Sequence, residues 1–307
     1  MNSNKKCFQL PPRISQGDTI GIVAPASPFD EDRFNQGIAV LEAMGFHLLI
    51  PDELFFKKRY LAGTDEHRAR LLNRFFSQKK IKAILCARGG FGSIRLLSLL
   101  DYRTIQKNPK IFVGFSDISA LLWAFYTQCH LVCFHGPTVT GLAEATKETK
   151  NSLLSSLTMD PSREVRLKKG LTIRPGSVSG PVVGGNLTTL CHLVGTPYTL
   201  NFNGKILMIE DKGEAVYRID RMLSQMKLAG CFDGVKGLVV GSFNDCGKLE
   251  DIYQVISETF RHYHIPILAG FDVGHGRTNI TVPIGLTATL DADRHRLTFH
   301  EPLATKE

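Results

Sequence analysis

Along the first half of the chain, short apolar runs alternate with longer stretches in which hydrophobic residues return every three or four positions. Thr19 to Ala24 (T-I-G-I-V-A), bounded by Gly17-Asp18 and Pro25, has the pattern of a buried strand. Asp30 then opens a helix that carries Phe34, Ile38, Leu41 and Met44 on one face and ends at Gly45, and Phe46 to Ile50 is the next strand. Strand, helix, strand is the unit of a parallel sheet. The alternation continues with a helix opened by Thr64, the strand Ile81 to Cys86, a glycine-rich turn from Arg88 to Gly92 and a helical Ser93 to Leu100. Ile111 to Gly114 then runs through Phe115 into Ser116-Asp117, a helix with Leu121, Leu122 and Phe125 follows, and Val132 to His135 is a further strand.

From Ala143 to Gly180 the periodicity weakens into a polar, lysine-rich stretch, which reads as a linker over 146–180. Regular patterns resume near Val182. Gly184-Gly185-Asn186 precedes a short helix, and the strand Lys205 to Ile209 runs into Glu210-Asp211. A helix with Ile219, Met222, Leu223 and Met226 follows, then the strand Val235 to Val240, the helix Ile252 to Tyr263, and Ile267 to Ala269 leading into G-F-D-V-G-H-G-R. Antiparallel strands around Asp291 to Arg294 close the pattern. The expectation is an α/β protein: an N-terminal parallel-sheet domain of flavodoxin-like type over 1–145, and a C-terminal mixed α/β domain with antiparallel strands over 181–307.

Composition narrows the class of protein. A chain of 307 residues that is 43% hydrophobic can bury a large core, and no run approaches the roughly 20 apolar residues of a membrane span. The N-terminal M-N-S-N-K-K-C-F-Q-L-P-P lacks the apolar region of a signal peptide, and seven irregularly spaced cysteines fit reduced thiols, so a cytoplasmic location is expected. The formal charge of +8 is scattered rather than gathered in a stripe. It suits solubility and attraction for a small acidic substrate, not a nucleic acid or a membrane.

Three positions carry candidate chemistry. Ser116 stands where a strand turns into a helix, held out from the backbone beside the unpaired N–H groups of the helix start. Alone, Ser116-Asp117 reads first as a helix cap, and Ile118 occupies the place of the second glycine in a G-x-S-x-G elbow. His275 lies between two glycines on a loop after a strand, where a histidine alone reads first as surface decoration. Glu210 follows a strand directly, with Asp211 and Glu214 competing for any role. Taken together, Ser, Glu and His in that order, each in a loop after a buried strand, supply nucleophile, orienter and base. Arg88 to Gly92 sits on the same sheet edge as Ser116 but lacks the Lys-Ser or Lys-Thr of a phosphate loop. Cys129-His130, Cys133 and His135 match no common zinc spacing and read as a packed core end.

Several longer stretches are more specific: V-G-F-S-D-I-S-A-L-L, C-A-R-G-G-F-G-S-I-R-L-L, G-G-N-L-T-T-L, G-T-P-Y, M-I-E-D-K-G-E-A-V-Y-R-I-D-R-M-L and F-D-V-G-H-G-R-T-N-I-T-V-P-I-G. In order and nearly throughout the chain, they resemble the LD-carboxypeptidase family, the S66 serine peptidases. The resemblance implies a cytoplasmic, usually dimeric enzyme with its site between two domains. It places the nucleophile at Ser116, the carboxylate at Glu210, the base at His275 and the oxyanion hole at the backbone N–H groups of Gly90 and Asp117. No metal or organic cofactor is expected. The implied substrate is a murein tetrapeptide that loses its terminal D-alanine, with Arg88 and Arg218 as candidates to meet the terminal carboxylate. A microcin-immunity-type peptidase acting on peptidyl or aminoacyl nucleotides, an esterase and a non-catalytic muropeptide binder are the alternatives. Chain length and the lack of an extra aromatic loop favour the murein enzyme over the microcin branch.

Overall fold

In the computed structural model, which describes residues 8–158, 164–167 and 170–300, the expected strands of the first half are β1 (Thr19–Val23), β2 (His47–Leu49), β3 (Ile81–Cys86), β4 (Ile111–Gly114) and β5 (Cys133–His135). They run parallel in the order β5-β4-β3-β1-β2. The intervening helices are α1 (Glu31–Ala43), α2 (Asp65–Ser77), α3 (Tyr102–Lys107), α4 (Ser119–Cys129) and α5 (Val139–Leu142). Asp30 and Thr64 cap α1 and α2 through their side chains, as the sequence pattern requires.

The second half contains α6 (Lys147–Thr158), α7 (Leu187–Cys191), α8 (Val216–Leu228) and α9 (Leu249–Thr259). Its strands are β6 (Glu164–Arg166), β7 (Leu171–Arg174), β8 (Ser177–Asn186), β9 (Ile206–Lys212), β10 (Gly237–Asn244), β11 (Ile267–Ala269), β12 (Val282–Ile284), β13 (Thr287–Asp291) and β14 (Arg296–Phe299). All but β12 form one mixed sheet in the order β6-β14-β13-β8-β9-β10-β11-β7, parallel from β8 to β11 and antiparallel elsewhere. β12 crosses over and pairs antiparallel with β5 at the edge of the first sheet. The fold is therefore mixed α/β, with a mainly parallel sheet and a mixed one.

The helix after Ser116 joins the two halves. α4 is apolar nearly all round, a pattern that requires burial on every side, and Ser119 to Tyr126 are all buried. It packs on β4 and β5 of its own sheet and on β8 and α7 of the other half. Two polar contacts fix its placement: the Asn186 N–H donates to Ser119 Oγ at 2.9 Å, and Trp123 Nε1 donates to the Tyr198 carbonyl at 3.1 Å.

The stretch 146–180, expected to be a linker, departs from that expectation. It contains α6, β6, β7 and the start of β8, with Thr149, Leu153, Ser156 and Leu157 buried on one face of α6. Two of those four inward positions carry hydroxyls, which hides the helical period from a hydrophobicity pattern. Their hydroxyls find backbone partners, Ser156 on Ser152 and Thr149 on the Asn279 N–H. Leu157→Ala should consequently cost about 2–5 kcal/mol, read as a lower urea midpoint. An unchanged midpoint would mean that this segment only tethers.

Candidate active site

Ser116 follows β4 after one residue and adopts φ +64°, the left-handed region that costs a non-glycine residue about 1–3 kcal/mol. This geometry rules out an ordinary cap. A capping serine sits in the extended region, whereas Ser116 begins a 3₁₀ turn, Ser116–Ile118, and α4 starts only at Ser119. The strained turn is supported from below. Gly89 lies so close that a Cβ there would stand 2.8 Å from Ser116 Cβ, and Gly90, at φ +107°, presses on Ser27, whose Oγ would be 2.4 Å from an added Cβ. Arg88 to Gly92 and the loop after β1, Ala24 to Pro28, are thus stacked beneath the serine, and the Ser27 N–H donates to the Gly89 carbonyl at 3.3 Å.

Asp117 is buried, and its carboxylate accepts the Ser93 N–H at 2.8 Å while Ser93 Oγ donates to its carbonyl. Burial raises the Asp117 carboxyl above its ordinary value, against hydrogen bonds from Ser93 and Gly92 and the charge of Arg68. The side chain therefore ties the serine turn to the glycine-rich turn.

Glu210, near the end of β9, has no solvent exposure, and its Oε2 stands 2.7 Å from His275 Nδ1. Burial works to raise the carboxyl, but the facing imidazoles of His135 and His275 outweigh it and hold it at about 2. An ionised carboxylate can only accept, so Nδ1–H of His275 donates and the lone pair of neutral His275 is left on Nε2. Gly274, at φ +107°, lets the loop close over the acid, because a Cβ there would fall 2.3 Å from Glu210 Oε2. Both flanking amides of His275 are anchored: Gly274 N–H donates to Asn279 Oδ1 at 2.9 Å, and Gly276 N–H to Ser242 Oγ at 3.1 Å. Asn279 is in turn held by Thr149 of α6 at 2.9 Å.

A cavity of about 660 Å³ is lined by Ser116, Gly89, Gly90, Arg88 and His275, together with Arg33 and Lys212. A second, of about 570 Å³, shares Arg33, Phe115, Lys212 and His275 with it and extends toward Arg277. The fold thus brings Ser116, the glycine-rich turn, His275 and, behind His275, Glu210 to one place. Arg218 lies elsewhere. It pairs with Glu214 at 3.5 Å on the edge of a separate cavity, because its place on α8 turns it toward α7 rather than β4. Cys133 and His135 are buried on β5, and among the described residues no His, Cys, Asp or Glu cluster is arranged to hold a metal ion.

Sequence reasoning missed Arg33, Lys212 and Arg68. Lys212 follows Glu210-Asp211 directly, and a lysine ending a buried strand was a signal that could have found it. Arg68 lies four residues before Leu72, so helical spacing puts it on the apolar face of α2. It is buried there, donating to the Pro25 and Gly92 carbonyls and pairing with Asp65, and so holds both loops beneath Ser116.

A strained serine at a strand end and an imidazole lining one cleft, with a buried carboxylate behind the imidazole, form the arrangement expected of a serine hydrolase, and the chain is a serine peptidase. It belongs to the LD-carboxypeptidase family: the family's N-terminal domain matches residues 20–136 and its C-terminal domain residues 179–290. The "Probable murein peptide carboxypeptidase" of Bacillus subtilis is 36% identical, aligned over 92% of this chain and 91% of its own. The solved structure of MccF in complex with glutamyl sulfamoyl guanosine superposes with a TM-score of 0.89 at 29% identity, covering 96% of this chain and 99% of that one. A muramoyltetrapeptide carboxypeptidase from Oxalobacter formigenes gives 0.81 at 28%, covering 92% and 99%. Among the described residues no helix is long and apolar enough to cross a membrane.

The depressed Glu210 carboxyl makes stability depend on pH in a fixed direction. Its ordinary value is 4.5 and the folded chain holds it at about 2, so unfolding takes up a proton between those limits. Its contribution is complete above about 4.5 and fades as pH falls toward 2. Urea midpoints from about pH 6 to about pH 2.5 should show the wild type losing stability relative to Glu210→Gln. A constant difference would contradict a buried, ionised Glu210.

Proposed function

We propose that the chain is an LD-carboxypeptidase that releases the terminal D-alanine of murein tetrapeptides, as a cytoplasmic homodimer serving peptidoglycan recycling. The observation that carries the mechanism is the shared cavity of a strained Ser116 and a His275 whose Nδ1 is engaged by Glu210. His275 Nε2 takes the Ser116 proton as Oγ attacks the carbonyl of the residue before the terminal D-amino acid. The N–H groups of Gly90 and Asp117 receive the oxyanion, each worth roughly 3 kcal/mol in comparable sites. The imidazolium, stabilised by Glu210, protonates the departing amine, and water then releases the acyl group by the same path in reverse. Arg33, Arg88 and Lys212 supply positive charge around the cavity, which suits a substrate ending in a free carboxylate.

Similarity to the murein peptide carboxypeptidase of Bacillus subtilis and the muramoyltetrapeptide carboxypeptidase of Oxalobacter formigenes supports this substrate. A microcin-immunity type of activity on peptidyl or aminoacyl nucleotides is the second reading, and the higher TM-score to MccF favours it. Incubation with UDP-MurNAc-tetrapeptide, followed by mass spectrometry, separates the two. The murein reading predicts loss of D-alanine, and cleavage of an aminoacyl nucleotide with the tetrapeptide left intact would overturn it. Ser116→Ala should lower kcat by at least ~10⁴-fold. Arg33→Ala should raise KM about tenfold with little change in kcat, and an unchanged KM would remove Arg33 from carboxylate binding.

A further inference from the structure

We propose that His135 is a positioning residue: a neutral imidazole whose Nε2–H holds the far oxygen of the Glu210 carboxylate, so that one histidine from each sheet grips the acid. This rests on the reading of Ser116, His275 and Glu210 as one catalytic unit. His135 is the last residue of β5, registered beside Gly114 of β4 and Val282 of β12, and wholly buried. Its Nε2 lies 3.8 Å from Glu210 Oε1. Among the described residues, both ring nitrogens of His135 and Glu210 Oε1 have no hydrogen-bond partner, although all three atoms are out of solvent. Orphaned polar atoms that face one another across a gap about 1 Å too long for a hydrogen bond mark an interaction that a small side-chain movement completes.

The surroundings explain why a histidine is needed here. The ring packs edge-on to Phe115 at 5.9 Å and against Gly185, where an added Cβ would lie 3.4 Å from His135 Cδ2. A leucine would suit such walls with no polar group to desolvate, so the imidazole serves the carboxylate. The titratable groups turned toward it are Glu210 and, across Glu210, His275; Asp211, next on β9, faces Asn186 and Thr188 instead. A charged His135 would compete with His275 for the single negative charge and repel the imidazolium that forms in the reaction. A neutral donor avoids both effects while fixing the plane of the carboxylate, and with it the direction of His275 Nδ1–H.

The sign of the effect on His275 follows. A carboxylate that shares its charge with a second donor is a weaker partner for imidazolium, so removing His135 should raise the midpoint at which His275 titrates and move the acid limb of kcat/KM upward. His135→Leu should lower kcat about tenfold or more with KM nearly unchanged and move both the limb and the midpoint up. His135→Gln, whose amide can place a donor near the Nε2 position, should keep most of kcat and leave the pH profile in place.

The direct test is NMR of the whole protein with ¹⁵N-labelled histidine, which needs no substrate. At neutral pH, wild-type His135 should carry its proton on Nε2 and His275 on Nδ1, and the His275 midpoint should rise in His135→Leu. A His135 protonated on Nδ1 alone, or on both nitrogens, would overturn the proposal. So would a folded Leu variant with unchanged His275 midpoint and kcat, or Leu and Gln variants that lose kcat equally with no shift in His275. If the Leu variant does not fold, the wild-type tautomer decides. If wild type releases no D-alanine, the substrate reading fails while the tautomer and titration still judge this one.

Discussion

A carboxylate shut off from water is tolerable only where opposite charge or hydrogen-bond donors meet it, and the groups that meet Glu210 come from two directions. His275 approaches from the loop after β11 in the mixed sheet, and His135 from β5 in the parallel sheet. The acid therefore lies at the seam between the halves, and its environment exists only when they are joined. α4 and β12 form the joint. The helix is buried against both halves, and the strand leaves one sheet to complete the edge of the other. The His275 loop is fixed by the same joint, through Asn279 and Thr149 of α6.

Chemical work divides along that seam. The parallel sheet presents a strained serine on a platform of close-packed glycines, with Arg68 pinning the loops below it. The mixed sheet presents the imidazole and its carboxylate. Strain of this kind persists only where the surroundings over-determine the backbone, and the contacts of Gly89 and Gly90 with Ser116 and Ser27 do so. In the proposed mechanism neither half has a complete set of groups, so any motion that parted them would separate nucleophile from base.

Much of this was legible in the residues. Caps at Asp30 and Thr64, the helical period of α1 and α2, and short apolar runs ending in loops located the strands and helices of the first half and the edge where Ser116 lies. The three chemical positions showed because each follows a strand. What stayed hidden has physical causes. α6 looked like a linker because hydroxyls occupy two of its inward positions. β12 is three residues long, and nothing local tells a strand which of two sheets to join. His135 read as core, correctly by burial, but its orientation toward Glu210 depends on a sheet junction that sequence spacing cannot express. Arg218 was a candidate for the terminal carboxylate, yet α8 carries it to another cleft.

In the proposed mechanism Ser116 is activated by a histidine belonging to the other half of the chain. Labelling with a fluorophosphonate and peptide mass spectrometry tests it without assuming a substrate. A single adduct on Ser116 is expected in the wild type, lost in His275→Ala and strongly slowed in Glu210→Gln. An adduct elsewhere, or labelling of Ser116 at the same rate without His275, would contradict it.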